Sequence, residues 1–365
     1  MAIRVALIGT GNCGSLALTQ LIEDDQFELT AVGVSSEAKV GRDAGELAGL
    51  DVVTGITATK GIEVALASAP DCVVYTADGD TRLKEAMADV RQFLSAGINV
   101  VGSAPGVLQY PWAVIPDKHI AKVEDAAQEG NSSVYITGVD PGFATDLLPI
   151  AIASTCQHFE QVRTMEIADY STYDGATVMF DVMGFGNQIG DFPMLFLPGV
   201  LSIAWGTAIR QLAAGLGIEV DEIRDSVEQE PAPEDLDVAV GRIAKGTVAA
   251  LRFQIEGLVQ GRPVIVVEHV TRLHADLRPD WAQPAHPGGS YRVEVTGEPS
   301  YFVDIVPTSA HGGAPYAAIL AAAARIVNSI PAVIAAPPGI RTTLDLPLVL
   351  GSNVYRAPGA IAATN

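Results

Sequence analysis

Cysteine and positive charge are both scarce in this chain of 365 residues. The three cysteines, Cys13, Cys72 and Cys156, stand far apart and form no C-x-x-C pair, which excludes a zinc ribbon and a disulfide framework. Lys and Arg number 22 against 43 Asp and Glu, so the formal net charge is −21. So acidic a chain is poorly matched to nucleic acid or to an anionic membrane, and neither is expected as a partner.

Long uncharged apolar runs are lacking as well. The best candidate, residues 192–208, contains Pro193 and Pro198 and is short for a bilayer. Met1 leads directly into a strand-like segment, without the basic region, apolar stretch and cleavage site of a signal peptide. These patterns predict a soluble, cytoplasmic protein.

The composition that is present indicates an ordered α/β protein. Hydrophobic residues make up 48% of the chain and charged residues 18%, which is typical of a folded globule, and the length suits roughly two domains. In the first third, short β-branched runs alternate with helical periodicity, as in βαβ units. We therefore predict a Rossmann domain, a doubly wound parallel sheet, over residues 1–146, with strands at 3–8, 28–34, 72–76, 99–102 and 133–138.

A different pattern begins after Leu147. Longer alternating stretches at residues 163–170, 247–257, 263–273, 291–296 and 301–306 favour an antiparallel or mixed sheet. Helical patterns cover residues 199–216 and 315–329, and the acidic stretch 219–237 is predicted to be a solvated turn region. We therefore expect an α+β substrate and dimerisation domain over residues 147–336, and a segment 337–365 that returns to the Rossmann domain.

The strongest local motif is the G-x-G-x-x-G pattern near the N-terminus. It follows an apolar strand and opens a helix, which is the context that makes the pattern informative. The first glycine permits a tight turn, the second lets backbone approach a pyrophosphate, and the third lets helix and strand pack closely. The motif predicts that a dinucleotide is bound by Gly9, Thr10, Gly11, Asn12, Cys13 and Gly14.

The end of the second strand favours NADP over NAD. An acidic residue here selects the ribose diol of NAD, whereas hydroxyls and cations accept the 2′-phosphate of NADP. The sequence supplies Ser35 and Ser36 with Lys39 and Arg42 close behind. Glu37 could instead hold a ribose diol, and the two cations could be ordinary surface charges, so NAD stays open.

Small and acidic residues follow the later strands at the same edge of the predicted sheet. Ala77 and Asp78 come after the strand at 72–76, and Ser103 and Ala104 come after the strand at 99–102. Asp140 lies between the last strand and an apolar helix, at the domain junction where a substrate pocket is expected. Ligands of open α/β sheets bind at this edge, so these residues are candidate cofactor contacts, although all could be turn residues.

Four stretches resemble one family of enzymes. They are the glycine loop, residues 37–45 (EAKVGRDAG), residues 138–143 (GVDPGF) and residues 327–340 (VNSIPAVIAAPPGI). Together they resemble the dihydrodipicolinate-reductase-like oxidoreductases, in the branch of 2,4-diaminopentanoate dehydrogenases and native amine dehydrogenases. The resemblance covers nearly the whole chain. It implies NAD(P)-linked reductive amination or its reverse, a Rossmann domain beside a mixed-sheet substrate domain, and a homodimer.

One departure from that family concerns proton transfer. Amine-specific members have a glutamate in the loop after the fifth strand, where this chain has Gly106 and Val107. Only Gln109 is left to contact substrate there, and an amide is neither acid nor base near neutral pH. Tyr173, after the first strand of the second domain, is predicted to supply a proton instead, with Tyr170 and Tyr110 as weaker alternatives.

Aromatic and sulfur-containing side chains are candidates for the substrate pocket. Tyr110, Phe143, Tyr173 and Met179 are expected to contact substrate, and His311, just before a helix, could face the pocket. Phe185 is a further candidate wall. Plain core packing explains the same residues equally well.

No metal site is predicted. His269 and His274 lie five residues apart on a strand pattern, so they point to opposite faces. The expectation is an NADP-dependent oxidoreductase that moves hydride between nicotinamide and a small, mostly apolar imine or ketone, in the manner of an amine dehydrogenase. A carbonyl reductase and a non-catalytic NADP-binding sensor are the alternatives.

Overall fold

The computed structural model describes residues 2–79, 81–197 and 199–355, and shows two large β-sheets with helices around them and a small two-stranded sheet, Leu236–Val238 with Gly241–Ile243. The strands are β1 (Ile3–Ile8), β2 (Phe27–Val34), β3 (Thr59–Lys60), β4 (Cys72–Tyr75), β5 (Asn99–Gly102), β6 (Ser133–Ile136), β7 (His158–Asp169), β8 (Glu222–Pro231), β9 (Leu236–Val238), β10 (Gly241–Ile243), β11 (Val248–Val259), β12 (Arg262–Arg272), β13 (Gly289–Glu298), β14 (Tyr301–Ile305) and β15 (Gly339–Arg341). The α-helices are α1 (Asn12–Glu23), α2 (Ala44–Ala48), α3 (Glu63–Ser68), α4 (Leu83–Ser95), α5 (Asp117–Gly130), α6 (Leu147–Ala153), α7 (Val200–Ala204), α8 (Gly206–Leu216) and α9 (Ala314–Ile334).

The first sheet has seven parallel strands in the order β15-β6-β5-β4-β1-β2-β3. Its central strands are apolar runs that are buried on both faces, as expected when helices cover a parallel sheet. The predicted Rossmann fold is confirmed. The late strand β15 pairs with β6, which brings the C-terminal segment beside this sheet. Residues 356–365 of that segment lie outside the described residues.

Helix α9 covers one face of the parallel sheet. Its buried side chains, among them Ile326, Val327 and Ile330, share a core with Val5 and Leu7 of β1. The predicted domain boundary at residue 336 assigned this helix to the second domain, whereas it packs in the core of the first. By length and composition α9 could cross a membrane, whereas residues 192–208 were the expected candidate for such a segment. Its packing on the sheet gives a direct reason for its apolar composition.

The second sheet is mixed, as predicted, and has the order β14-β13-β7-β12-β11-β8. Strands β7 and β12 run parallel, and the other neighbours run antiparallel. Helix α8 packs against β11 and β12, and Ile209 contributes to the core beneath them. One face of this sheet therefore meets helices and the other domain.

Two predicted elements of the second domain are wrong in detail. The acidic stretch 219–237 is not a turn region, because β8 runs along the sheet edge with alternating exposed and half-buried residues. Its acidic residues obscured that alternation. The single helix predicted over residues 199–216 is two helices, α7 and α8, which meet at Trp205.

Asp146 stabilises the junction between the two large sheets. This carboxylate is fully buried, and Oδ2 accepts hydrogen bonds from Gln211 of α8 at 2.9 Å and from Thr343 of the C-terminal segment at 2.9 Å. Gln109 of the loop after β5 adds a longer contact at 3.4 Å, and Oδ1 caps the first amide of α6, at Leu147. Three side-chain donors from distant segments therefore share one acceptor, the carboxylate of Asp146.

Replacing this carboxylate tests its role. We expect Asp146→Ala to lower the free energy of unfolding by about 2–4 kcal/mol, because buried donors lose their acceptor. Asp25→Ala, an exposed carboxylate in the turn before β2, is the control and should stay within about 0.5 kcal/mol of the parent. Urea unfolding measures both, and equal effects would show that the junction does not depend on Asp146.

Candidate active site

The glycine loop has the space and the backbone that a dinucleotide needs. Gly9 has φ +94°, and a Cβ there would lie 2.5 Å from the amide nitrogen of Ala77. A Cβ on Gly14 would lie 1.9 Å from the carbonyl oxygen of Gly9, so helix α1 could not pack as it does. By contrast, no atom of the described residues lies within 4 Å of a Cβ added at Gly11, and none of their side chains caps the α1 amides. The residues fit a pyrophosphate at the helix N-terminus.

The predicted 2′-phosphate contacts lie beside this loop. Ser35 and Ser36 are exposed after β2, and Lys39 folds back so that Nζ donates to the carbonyl oxygen of Thr10 at 2.5 Å. This contact holds a cation between the glycine loop and the end of β2.

The charged residues around them are paired. Glu37, the residue that could hold a ribose diol, forms an ion pair with Lys60, which lies opposite the end of β2 in β3. Arg42 forms an ion pair with Glu46 at 2.9 Å. Lys60 is a third cation at this edge, and the sequence analysis missed it because β3 is only two residues long.

A cavity of about 290 Å³ opens at the junction of the two sheets. Its walls come from α1, β7 and its following loop, β13, the loop after β6 and the first turns of α9. A second cavity of about 450 Å³ begins at the first turn of α1, and shares Tyr173, Pro315 and Ile319 with the first. The two cavities are therefore neighbours, between the first turn of α1 and the mixed sheet.

Several predicted site residues meet in the first cavity. Cys13, Ser103, Asp140, Tyr170 and Tyr173 all line it. Burial raises the pKa of the Cys13 thiol to about 11, so it stays protonated near neutral pH.

Gln109 does not line either cavity, which corrects the prediction that it contacts substrate. It ends a 3₁₀ turn, Gly106–Gln109, and is 1% exposed. Its Oε1 accepts from Thr207 at 2.9 Å and its Nε2 points to Asp146. The turn directs this amide inward, where the junction supplies its partners.

Most of the predicted substrate wall also lies elsewhere. Met179 and Phe185 are buried in the core of the second domain, and Phe143 packs beside Val139, Ala144 and Tyr291 without lining a cavity. Tyr110 packs edge-on against Trp112, and His311 is exposed in the loop before α9. Apolar composition had indicated burial, but it could not distinguish the core from the pocket.

The remaining cofactor candidates lie at the expected edge. Ala104 is buried after β5 and Ala77 is half-buried after β4. Asp78 is exposed and accepts from the hydroxyl of Thr81, so it caps its own turn rather than lining a cavity.

The structure adds a charged cluster that sequence reasoning missed. Glu166 of β7 and His269 of β12 are opposite each other in the sheet, and Tyr291 of β13 is opposite Glu166 on the other side. Asp140 reaches this row from the loop after β6, and its Oδ2 lies 2.9 Å from His269 Nε2. Donor atoms of Asp140, Glu166 and His269 all lie within 4.8 Å of one another, so this group could hold a cation.

His269 is held by aromatic rings. It stacks on Phe253 of β11, with centroids 4.6 Å apart, and meets the edge of Trp205 at 4.7 Å. Trp205 Nε1 also donates to Asp140 Oδ1 at 3.1 Å. The short contact between His269 and Asp140 is not aligned as a hydrogen bond, so His269 Nε2 and Asp140 Oδ2 are buried without such a partner among the residues described.

The ionisable groups of this cluster shift one another's pKa values. Burial raises the pKa of Glu166, and the charge of Asp140 raises it further, while His269 opposes the rise. Burial alone would lower the pKa of His269, but the carboxylates of Asp140, Glu166 and Glu268 outweigh it and raise the pKa overall. The neighbouring carboxylates therefore favour the imidazolium form of His269.

The tyrosines of the cavity are held in the protonated form. Burial and the charge of Glu166 raise the pKa of Tyr170 and of Tyr291 well above the ordinary value. Burial, Asp174 and Glu166 also raise the pKa of Tyr173, the predicted proton donor. Tyr170 Oη donates to Glu166 Oε1 at 3.0 Å. Because their pKa values are raised, the three phenol groups are better suited to donating a hydrogen bond than to losing a proton.

A weak sequence signal for the cluster does exist. Glu166 interrupts the apolar run of β7 between Met165 and Ile167, and an ionisable residue inside a strand core needs partners. His269 was weighed only against His274, which the structure leaves exposed. The strand register that pairs His269 with Glu166 could not be read from either segment alone.

The fold and this site define a Rossmann-type dehydrogenase with a mixed-sheet second domain. The solved amine dehydrogenase from Mycobacterium smegmatis shares this fold, with a TM-score of 0.78 at 22% identity over 98% of both chains. The family model for the 2,4-diaminopentanoate dehydrogenase C-terminal domain matches residues 143–354.

Two curated relatives match almost the whole chain. An amine dehydrogenase of Streptomyces virginiae is 38% identical over 348 residues, which cover 95% of this chain and 96% of the relative. A 2,4-diaminopentanoate dehydrogenase of Acetoanaerobium sticklandii is 26% identical over 363 residues, or 95% and 94% of the two chains. This chain belongs to the same family, and it is a dehydrogenase that acts on CH–NH₂ groups. The resemblance found in the sequence is confirmed.

Two glycine variants separate folding from cofactor binding. Gly11→Ala should change the free energy of unfolding by less than about 1 kcal/mol, since its backbone is extended and its Cβ meets nothing. The methyl group would stand where a pyrophosphate approaches, so we expect NADP and NAD each to bind at least about tenfold more weakly in calorimetric titration. Gly14→Ala should instead destabilise the fold by about 1–3 kcal/mol, because its Cβ overlaps backbone. Unchanged NADP affinity in Gly11→Ala would contradict this placement of the cofactor.

Proposed function

We propose that this protein is an NADP-dependent amine dehydrogenase that interconverts a small, mostly apolar amine and its carbonyl compound. The observation that carries this proposal is the pair of carboxylates, Asp140 and Glu166, in the wall of a largely apolar cavity. Buried negative charge of this kind is complementary to an ammonium or iminium group. A neutral alcohol or ketone would bring no positive charge to these carboxylates.

The walls of the cavity also favour a small substrate. A volume of about 290 Å³ is at the lower end for small-molecule sites. The apolar part is built from short side chains of α9, among them Ala314, Ala318 and Ala322. Of the described residues that line it, none is Lys, Arg or His, so no side-chain cation is placed to pair with a substrate carboxylate. These features support a simple amine rather than an amino acid.

The cofactor side supports NADP. When bound, this cofactor supplies the hydride acceptor or donor at its nicotinamide ring. Lys39, Ser35 and Ser36 would hold the 2′-phosphate, and the ion pair with Lys60 engages the Glu37 carboxylate that an NAD ribose would need. Ser103 and Cys13 line the first cavity, and Asn12 lines the second, so residues of the glycine loop and of the loop after β5 would contact the bound cofactor.

Turnover assays test the reaction. We expect NADPH oxidation with small aliphatic ketones or aldehydes to require ammonium, and the matching amines to reduce NADP⁺. Oxidation of 2,4-diaminopentanoate should have a kcat/KM at least about tenfold lower than that of a simple amine, because its carboxylate finds no cation. Equal turnover without ammonium would assign a carbonyl reductase. Tight NADP binding with no turnover of any ketone, aldehyde or amine would assign a sensor.

One substitution tests the cofactor preference. Lys39→Ala should raise KM for NADP about tenfold and leave KM for NAD unchanged, because a charge-assisted contact to the 2′-phosphate is lost. Lys84→Ala, an exposed lysine of α4, is the control and should change neither value. Equal effects of Lys39→Ala on NADP and NAD would remove the argument for the phosphate.

The homodimer and the cytoplasmic location are proposals as well. A second copy would cover exposed apolar side chains of the segment before α8, namely Ile189, Phe192, Leu197 and Ile203. Sedimentation of the full chain, together with cell fractionation, tests the two proposals independently.

A further inference from the structure

Oxidation of an amine releases a proton, so a base must reach the nitrogen. In this chain the loop after β5 holds Gly106 and Val107, neither of which can act as a base. Among the described residues, the ionisable side chains that line the first cavity are Cys13, Asp140, Glu166, Tyr170, Tyr173 and Tyr291. Burial, with nearby carboxylates for the tyrosines, raises the pKa of the thiol and of all three phenols. The two carboxylates are the remaining candidates.

The two carboxylates are not equivalent. Asp140 has Oδ1 bonded to Trp205 and Oδ2 beside His269, so both of its oxygens face protein groups. The side chain of Asp140 is 1% exposed. Glu166 lies near the carboxyl end of β7 and lines the cavity, with Tyr170 donating to its Oε1 and Tyr291 of β13 on its other side. Glu166 is therefore the carboxylate placed to meet a ligand, and Asp140 is placed to hold His269.

We propose that Glu166 binds the ammonium group of the substrate and serves as the acid–base residue, with Asp140 and His269 as positioning residues behind it. This proposal rests on the proposed function. A carboxylate in the cavity wall is complementary to the ammonium group of such a substrate. The base comes from the mixed sheet of the second domain, in place of the loop after β5.

The proton and electron balance is complete. Glu166 takes one proton from R₂CH–NH₃⁺ and leaves the neutral amine. The Cα–H bond then breaks, its electron pair and hydrogen pass as hydride to the oxidised nicotinamide, and the nitrogen lone pair forms R₂C=NH₂⁺. Water adds to the carbon, a proton moves from oxygen to nitrogen, and the C–N bond breaks to give R₂C=O and NH₄⁺. The proton on Glu166 returns to solvent, which restores the carboxylate.

This assignment predicts a specific pH dependence. Amine oxidation should rise with pH as Glu166 loses its proton, and the inflection should lie above the ordinary carboxyl range because burial raises its pKa. The charged and titratable groups that face Glu166 are Asp140, His269, Tyr170, Tyr173 and Tyr291. The inflection of the pH profile is therefore a property of the whole cluster. Its loss when Glu166 is replaced would show that Glu166 is the group whose deprotonation the reaction needs.

The decisive variant is Glu166→Gln, which keeps the size and removes the charge. We expect kcat for amine oxidation to fall about 10²-fold or more, KM for the amine to rise, and the acid limb of the pH profile to disappear. Calorimetric NADP affinity should stay unchanged, which separates the effect from loss of fold. Glu166→Asp keeps a carboxylate and should retain the acid limb at a reduced rate. Glu160→Gln, an exposed change on the same strand, should behave as the parent.

Three results would overturn the assignment. A Glu166→Gln enzyme with the parent rate and pH profile would show that another group is the base. If Glu166→Asp also lost the acid limb, that limb would not depend on a carboxylate at this position, and another group would be the base. Activity that a chelator removes and Zn²⁺ restores would assign Asp140, Glu166 and His269 to a metal ion. If the parent enzyme itself fails to oxidise any amine, the proposed function fails, which is a distinct outcome.

Discussion

The junction between the two sheets depends on two buried carboxylates that contact polar groups from distant parts of the chain. Asp146 joins α8, the loop after β5 and the C-terminal segment, and Asp140 joins the same junction to Trp205 and His269. Each carboxylate would be costly in an apolar interior if its partners moved away. The relative position of the sheets is thereby restricted to one in which these donors converge, and the cavity exists because of that restriction.

The surroundings of a buried carboxylate also distinguish a structural role from a role in ligand binding. Asp146 is surrounded by donors and lines neither of the two cavities, so it holds segments together. Glu166 lines the first cavity, so its carboxylate can meet a ligand as well as its protein neighbours. Between these extremes, Asp140 touches both the protein and the cavity wall. A chain with a net charge of −21 thus places a small part of its acidity where it can meet a cation.

Local features were predictable and long-range ones were not. The glycine loop follows from adjacent residues, because one turn between a strand and a helix fixes the positions of Gly9, Gly11 and Gly14. The cluster of Glu166 and His269 depends on the register between two strands about 100 residues apart in the chain, which neither segment encodes alone. Gln109 was misplaced for a related reason, since a short 3₁₀ turn reverses the direction of its side chain.

Helix α9 serves both halves of the molecule. Its C-terminal part lies in the core of the parallel sheet, while its first turns present Ala314, Ala318 and Ala322, spaced four residues apart, to the cavity. These small side chains set the free volume, and the charged groups stand on the opposite wall. The size of the accepted amine can therefore diverge among relatives through exchanges along one helical stripe, without any change to the residues that handle the proton.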